Sequence, residues 1–271
     1  MDLYPAHYTL TPEVSRFYNP AFVNINSKAS VDLGNQFYTG LYSKIENHYF
    51  LAGLDVVGKD SARTKHIISV KAFNEKEGDF ITRPKAYLSY AGHVRLSEDY
   101  FLGAGASLGM VGYIYKATNV SGGGSATVPD AELGMSFYGR GLRLGISANQ
   151  LFNKVMLPKE LTFRWRRYFT AYLEKGWEFG ENHSFTLFAQ QLFISQQKDV
   201  RDVGGYLVLN RHIELGIMEY IGEKVTFVAG LRELSWGDNA VHLLFAYSVP
   251  HTSASQANNQ SFEIVLRYQR F

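Results

Sequence analysis

Gly105-Ala106-Ser107-Leu108-Gly109 spells the G-x-S-x-G pattern of a hydrolase nucleophile elbow. That chemistry needs a sharp strand-to-helix turn to lift the serine clear of its sheet. Met110, Val111, Gly112 and Tyr113 continue an extended pattern instead, which favours a plain wall of small residues. The eight histidines show no metal-ligand spacing such as H-E-x-x-H, and the chain has no cysteine for a disulfide, a thiolate site or a thiol nucleophile. Gly103-Ala104-Gly105 lacks a third glycine at the offset of a phosphate-binding loop. Gly122-Gly123-Gly124 lacks the Lys-Ser/Thr that would follow it. The expectation is a protein without catalytic, cofactor or metal residues.

Two clusters remain. Arg164, Arg166 and Arg167 precede Tyr168. Arg164 and Arg166 share a strand face with Tyr168, Tyr172 and Glu174, the composition of a paired polar interior, and Arg167 falls on the other face beside Trp165 and Phe169. The second cluster is Leu151, Phe152, Val155, Met156 and Leu157. It gathers apolar side chains in what reads as a loop, and such a patch marks either a docking surface or a cap folded back on its own domain. These five are the candidate partner-binding residues.

The elements that would position them are strands. In the closing stretch, residues 261–271, Phe262, Ile264, Leu266 and Tyr268 alternate with Glu263, Val265, Arg267 and Gln269. This period of two gives one greasy and one mostly polar face. The same alternation runs through Leu142 to Asn149, Val225 to Leu231 and Val241 to Tyr247. About fourteen strands are read between residues 29 and 271, among them 99–115, 141–151 and 161–178. Tight links (Gly139-Arg140, Gly180-Glu181-Asn182, Asn210-Arg211, Gly237-Asp238) take turns with longer polar ones, as short periplasmic turns and longer outer loops do in a membrane barrel; Gly58 to Arg63, long on the inner side, and the tight outer link near Gly222-Glu223 are the exceptions. An even strand number puts both ends on the periplasmic side. A soluble β-sandwich would show shorter strands and loops of similar length at both ends.

Composition agrees. Aromatics make up 15% of the 271 residues, suiting two interfacial girdles. The formal charge of +2, from 27 basic and 25 acidic residues in no block, argues against nucleic acid as a partner. No apolar run approaches the roughly 18–20 residues of a membrane-spanning helix. The reading is therefore an all-β transmembrane antiparallel barrel over residues 29–271 in a bacterial outer membrane, in contact with lipid or lipopolysaccharide. Residues 1–28 form a lead-in segment that plugs or lines the periplasmic mouth. Met1-Asp2-Leu3-Tyr4 has no basic start and apolar core, so the barrel reading expects a chain whose secretion signal is already removed.

Several phrases together resemble the PorP/SprF family of outer-membrane proteins of the Bacteroidota type IX secretion and gliding machinery. They are Asn19-Pro20-Ala21-Phe22, Gly34-Asn35-Gln36-Phe37 with Gly40, Arg95-Leu96-Ser97, Gly145 through Phe152, and Phe262 through Tyr268. The family usually carries Trp where Phe37 stands. The resemblance implies a non-enzymatic barrel that helps export proteins with a C-terminal sorting domain, or anchors them at the cell surface. Its partners would be that domain and other secretion components in the outer membrane or periplasm. The alternatives are a passive or hydrophobic-solute channel of the same architecture and an outer-membrane lipid hydrolase.

Overall fold

A computed structural model describes residues 2–3, 8, 10–56, 63–117, 122–157, 162–194, 199–251 and 260–271. β1 (Asp2–Leu3) and α1 (Thr11–Tyr18) lead into β2 (Ala29–Tyr38), β3 (Ile45–Asp55), β4 (Thr64–Glu77), β5 (Ile81–Ser97), β6 (Tyr100–Tyr115), β7 (Gly124–Gly139) and β8 (Leu142–Asn149). Two short strands follow, β9 (Val155–Met156) and β10 (Phe163–Trp165). Then come β11 (Tyr168–Phe179), β12 (His183–Ile194), β13 (Val200–Leu209), β14 (Ile213–Tyr220), β15 (Lys224–Trp236), β16 (Asn239–Pro250) and β17 (Ser261–Arg270). Fourteen of these close into one antiparallel barrel, β2 to β8 and β11 to β17, with β17 pairing back onto β2. β1, β10 and β9 form a separate three-stranded sheet in that order.

Side-chain alternation decides which way each face points. On β17, Ile264 and Leu266 are exposed while Glu263 and Val265 are buried. On β16, Phe245 and Tyr247 are exposed while His242, Leu244 and Ser248 are buried. The apolar rows thus line the outside and the polar rows the lumen, the reverse of a water-soluble sandwich and the arrangement lipid demands. Closure leaves no sheet edge through the greasy band.

The chain ends of the barrel share one rim with the tight turns. Arg140-Gly141 links β7 to β8 with both φ positive, 46° and 71°, the pairing that matches the twist of a two-residue hairpin. At the opposite rim lie most of the longer links, including the stretch between β8 and β11 that carries β9 and β10; the exceptions are the link 56–63 on the tight-turn rim and the short links 78–80 and 221–223 on the other.

The sequence pattern reads 161–178 as one strand, and the structure divides it. Trp165 and Tyr168 are both buried, three positions apart, which an unbroken strand of period two cannot provide. Arg166-Arg167 break the run, so Phe163 and Trp165 point inward and Arg164 is exposed. Arg164 therefore does not share the face of Tyr168 and Tyr172.

Candidate functional site

The N-terminal segment lies inside the ring and touches wall strands all around it. Tyr8 Oη donates to Glu75 Oε1 (3.4 Å), Leu10 N to Glu263 Oε2 (3.3 Å) and Thr11 Oγ1 to Asp202 Oδ2 (3.3 Å). All three acceptors sit near the long-link rim. Further along, Lys71 Nζ donates to Phe17 O (2.8 Å) and pairs with Glu132, and Ser147 Oγ donates to Tyr18 O (2.6 Å). Near the tight-turn rim, Val23 N donates to Tyr138 Oη (3.2 Å). Aromatic rings fill the remaining space: Phe17 stands edge-on to Tyr49 and Phe73, and Phe22 to Tyr172.

α1 also straddles the seam where the first and last barrel strands meet. Asp32 of β2 and Arg267 of β17 are direct register partners, bonded at 2.7 Å. Arg16 of α1 adds a second contact to Asp32 at 2.8 Å, and Glu13 pairs with Arg267. Burial alone would raise the Glu13 carboxyl. The facing Arg267, Arg16 and Arg232 outweigh it and hold the group down to about 2.

Below α1, Asn19-Pro20 press on a patch of wall without side chains. A Cβ on Gly134 of β7 would lie 2.0 Å from Asn19 Oδ1, one on Gly105 of β6 2.6 Å from the Pro20 carbonyl, and one on Gly145 of β8 2.3 Å from the Phe22 ring. Glycine is needed there for the close approach. Asn19 Nδ2 then reaches two main-chain carbonyls of the wall, Met135 O (3.0 Å) and Ile146 O (3.2 Å).

The other end of the segment is tied to a cap. β1 pairs parallel to β10, and β10 antiparallel to β9. Met156, Phe163 and Trp165 pack with Leu3, Tyr87, Val111 and Tyr113, and the Tyr113 and Phe163 rings stack at 4.1 Å. Lys85 Nζ, held by Glu75 at 2.5 Å, lies 4.6 Å from the centre of the Trp165 ring.

The five sequence-derived partner residues separate here. Met156 is 1% exposed and belongs to the interior of the cap. Phe152 (46%), Val155 (40%) and Leu157 (64%) remain on the surface. Leu151 is half-buried, and its carbonyl accepts from Arg167 Nη2 at 2.6 Å. Phe163 and Trp165 are the anchors that sequence reasoning overlooked, although their alternation around Arg164 was visible.

Ser107 of the G-x-S-x-G pattern is buried mid-strand with its Oγ 2.7 Å from Ser89 Oγ, and β6 stays extended through Tyr115. No strand-to-helix turn follows it. His242 faces the lumen, as its strand position implies. Among the described residues no group of three or more His, Asp or Glu side chains is placed to hold a metal ion.

These features define a class: a fourteen-stranded outer-membrane barrel with its own N-terminal segment through the lumen. Residues 4–268 match the family described as type IX secretion system membrane protein PorP/SprF, and the chain belongs to that family. No curated protein sequence matches the chain. Among solved structures, the toluene transporter TbuX of Ralstonia pickettii superposes with a TM-score of 0.62 at 10% identity, covering 95% of this chain and 93% of that one. A FadL homologue of Pseudomonas aeruginosa gives 0.56 at 8% identity, with 94% and 93% covered. The toluene transporter TodX of Pseudomonas putida gives 0.54 at 11% identity, with 98% and 94% covered. Likeness at such low identity concerns the fold. Family and fold together place the protein in the outer membrane, with type IX secretion components as its partners. The tight-turn rim is then periplasmic and the cap faces outward.

Proposed function

We propose that this protein is a non-enzymatic component of type IX secretion that helps export proteins carrying a C-terminal sorting domain, or holds them at the cell surface, and that the sorting domain is met at the capped outer mouth. The observation that carries this reading is the filled lumen. A barrel threaded by its own segment, with Lys71, Glu132, Glu75 and Lys85 paired around it, offers its mouth rather than a bore. Phe152, Val155 and Leu157 give that mouth an apolar surface beside Arg164, the mixture of greasy and basic groups common in recognition patches.

The experiment is capture of purified sorting domains by the detergent-solubilised barrel. Leu157→Asp is expected to weaken capture at least about tenfold while leaving a heat-modifiable barrel on gels. Met156→Asp should instead damage the cap itself, because it places a charge among Leu3, Phe163 and Trp165. Undiminished capture by Leu157→Asp would remove the cap from the reading.

The likeness to hydrocarbon transporters keeps a second reading in view, passage of hydrophobic solutes. It requires an apolar path through the lumen. The cavity of about 480 Å³ at the periplasmic end is lined by Glu13, Arg143, Glu174 and Arg232, which suits water and polar chains better.

A further inference from the structure

β7 is twice as long as its neighbour β8, 16 residues against 8. On its β6 side β7 is paired along its whole length, from Gly124↔Tyr115 to Gly139↔Tyr100. On its β8 side pairing starts only at Leu133↔Ala148, and one further bond, Leu151 N to Ala131 O (3.0 Å), extends it. Among the described residues, no backbone hydrogen bond is made on that side by residues 124–130. The edge lies above the greasy band: Ser125, Thr127 and Pro129 are the exposed row there, and Leu133 and Met135 take over where both sides are paired. Unpaired amides are tolerable in water and costly in hydrocarbon.

Pro129 fixes the direction in which the amides of this edge point. A proline has no N–H and is accepted in a strand where that position points away from a partner. Ser125 and Thr127, four and two residues earlier, repeat its orientation and so aim their N–H groups at the open side. An open strand edge is a template for another strand, and it borders the cap that exposes Val155 and Leu157.

We propose that residues 124–130 of β7 bind the partner by strand addition, so that an extended segment of the secreted protein's C-terminal domain continues the sheet beyond β7. This rests on the reading of the outer mouth given above and names the chemistry of recognition: main-chain hydrogen bonds from β7, with apolar side chains on Val155 and Leu157.

The test uses the full-length barrel in detergent and purified, labelled sorting domains from secreted proteins of the same cell. Thr127→Pro deletes one edge donor and leaves the β6 ladder intact, and Ser125→Pro does the same two residues away. Each is expected to weaken binding about tenfold or more, with Thr127→Ala within about twofold of the parent. Slowed amide exchange at residues 124–130 when the domain is added to the unmodified barrel is the companion result, and it decides the matter should the proline variants fail to fold. Parent-like binding by both proline variants, or unchanged exchange, overturns strand addition while the outer-mouth reading stands. So does a barrel dimer that Thr127→Pro dissolves, since the edge would then pair with a second copy. Failure of the unmodified barrel to bind any sorting domain overturns both.

Discussion

At the scale of single residues, many of the charges inside the barrel are held by a partner of opposite sign. Glu13 is the clearest case, a half-buried carboxylate facing Arg267 and Arg16. Its folded-state value of about 2 lies below the ordinary 4.5. The resulting stability is fully present above about pH 4.5 and is lost as pH falls toward 2. We expect Glu13→Gln to lower the unfolding free energy of the barrel at pH 7, read from urea titration, by on the order of 2–3 kcal/mol. The difference from the parent should shrink between pH 4.5 and pH 2. A difference that persists unchanged at pH 2 would mean that the carboxylate is not what holds α1 to the seam. The same scale explains why Met156 and Leu157, adjacent in sequence, answer a charge differently: one faces Trp165 inside the cap and the other faces solvent.

At the scale of elements, the wall was legible and the helix inside it was not. Alternation in residues such as Leu144, Ile146 and Leu266 is enforced by lipid on one side and polar lumen on the other, so the sequence carries it openly. α1 left no such trace. An eight-residue helix held inside a barrel has wall strands rather than bulk solvent around most of it, and its polar groups Glu13 and Arg16 pair with the wall charges Arg267 and Asp32. The cap was half legible: its apolar residues stood out, but the break at Arg166-Arg167 between β10 and β11 depends on Phe163 and Trp165 turning into the mouth. Of the bare patch only Gly105 stood out, in a stretch read as a plain wall of small residues, and its purpose appears only with Asn19-Pro20 laid against it beside Gly134 and Gly145. Gly134→Val should therefore expel the segment without touching any wall hydrogen bond. Limited proteolysis within residues 10–24 is the measure, and cleavage is expected in the variant at a protease level that spares the parent. Equal resistance in both would show that the wall yields instead.

At the scale of the whole molecule, the chain runs through its own barrel, from the cap at the outer rim to the start of β2 at the periplasmic rim. Outer mouth and periplasmic rim are thus joined by one covalent strand of chain held in the lumen by ion pairs and ring contacts, and the account rests on that segment occupying the bore. Single-channel recording in planar bilayers tests this most directly. The intact protein is predicted to give no sustained conductance steps, and Gly134→Val to give them. Steady, porin-like steps from the intact protein would contradict the account.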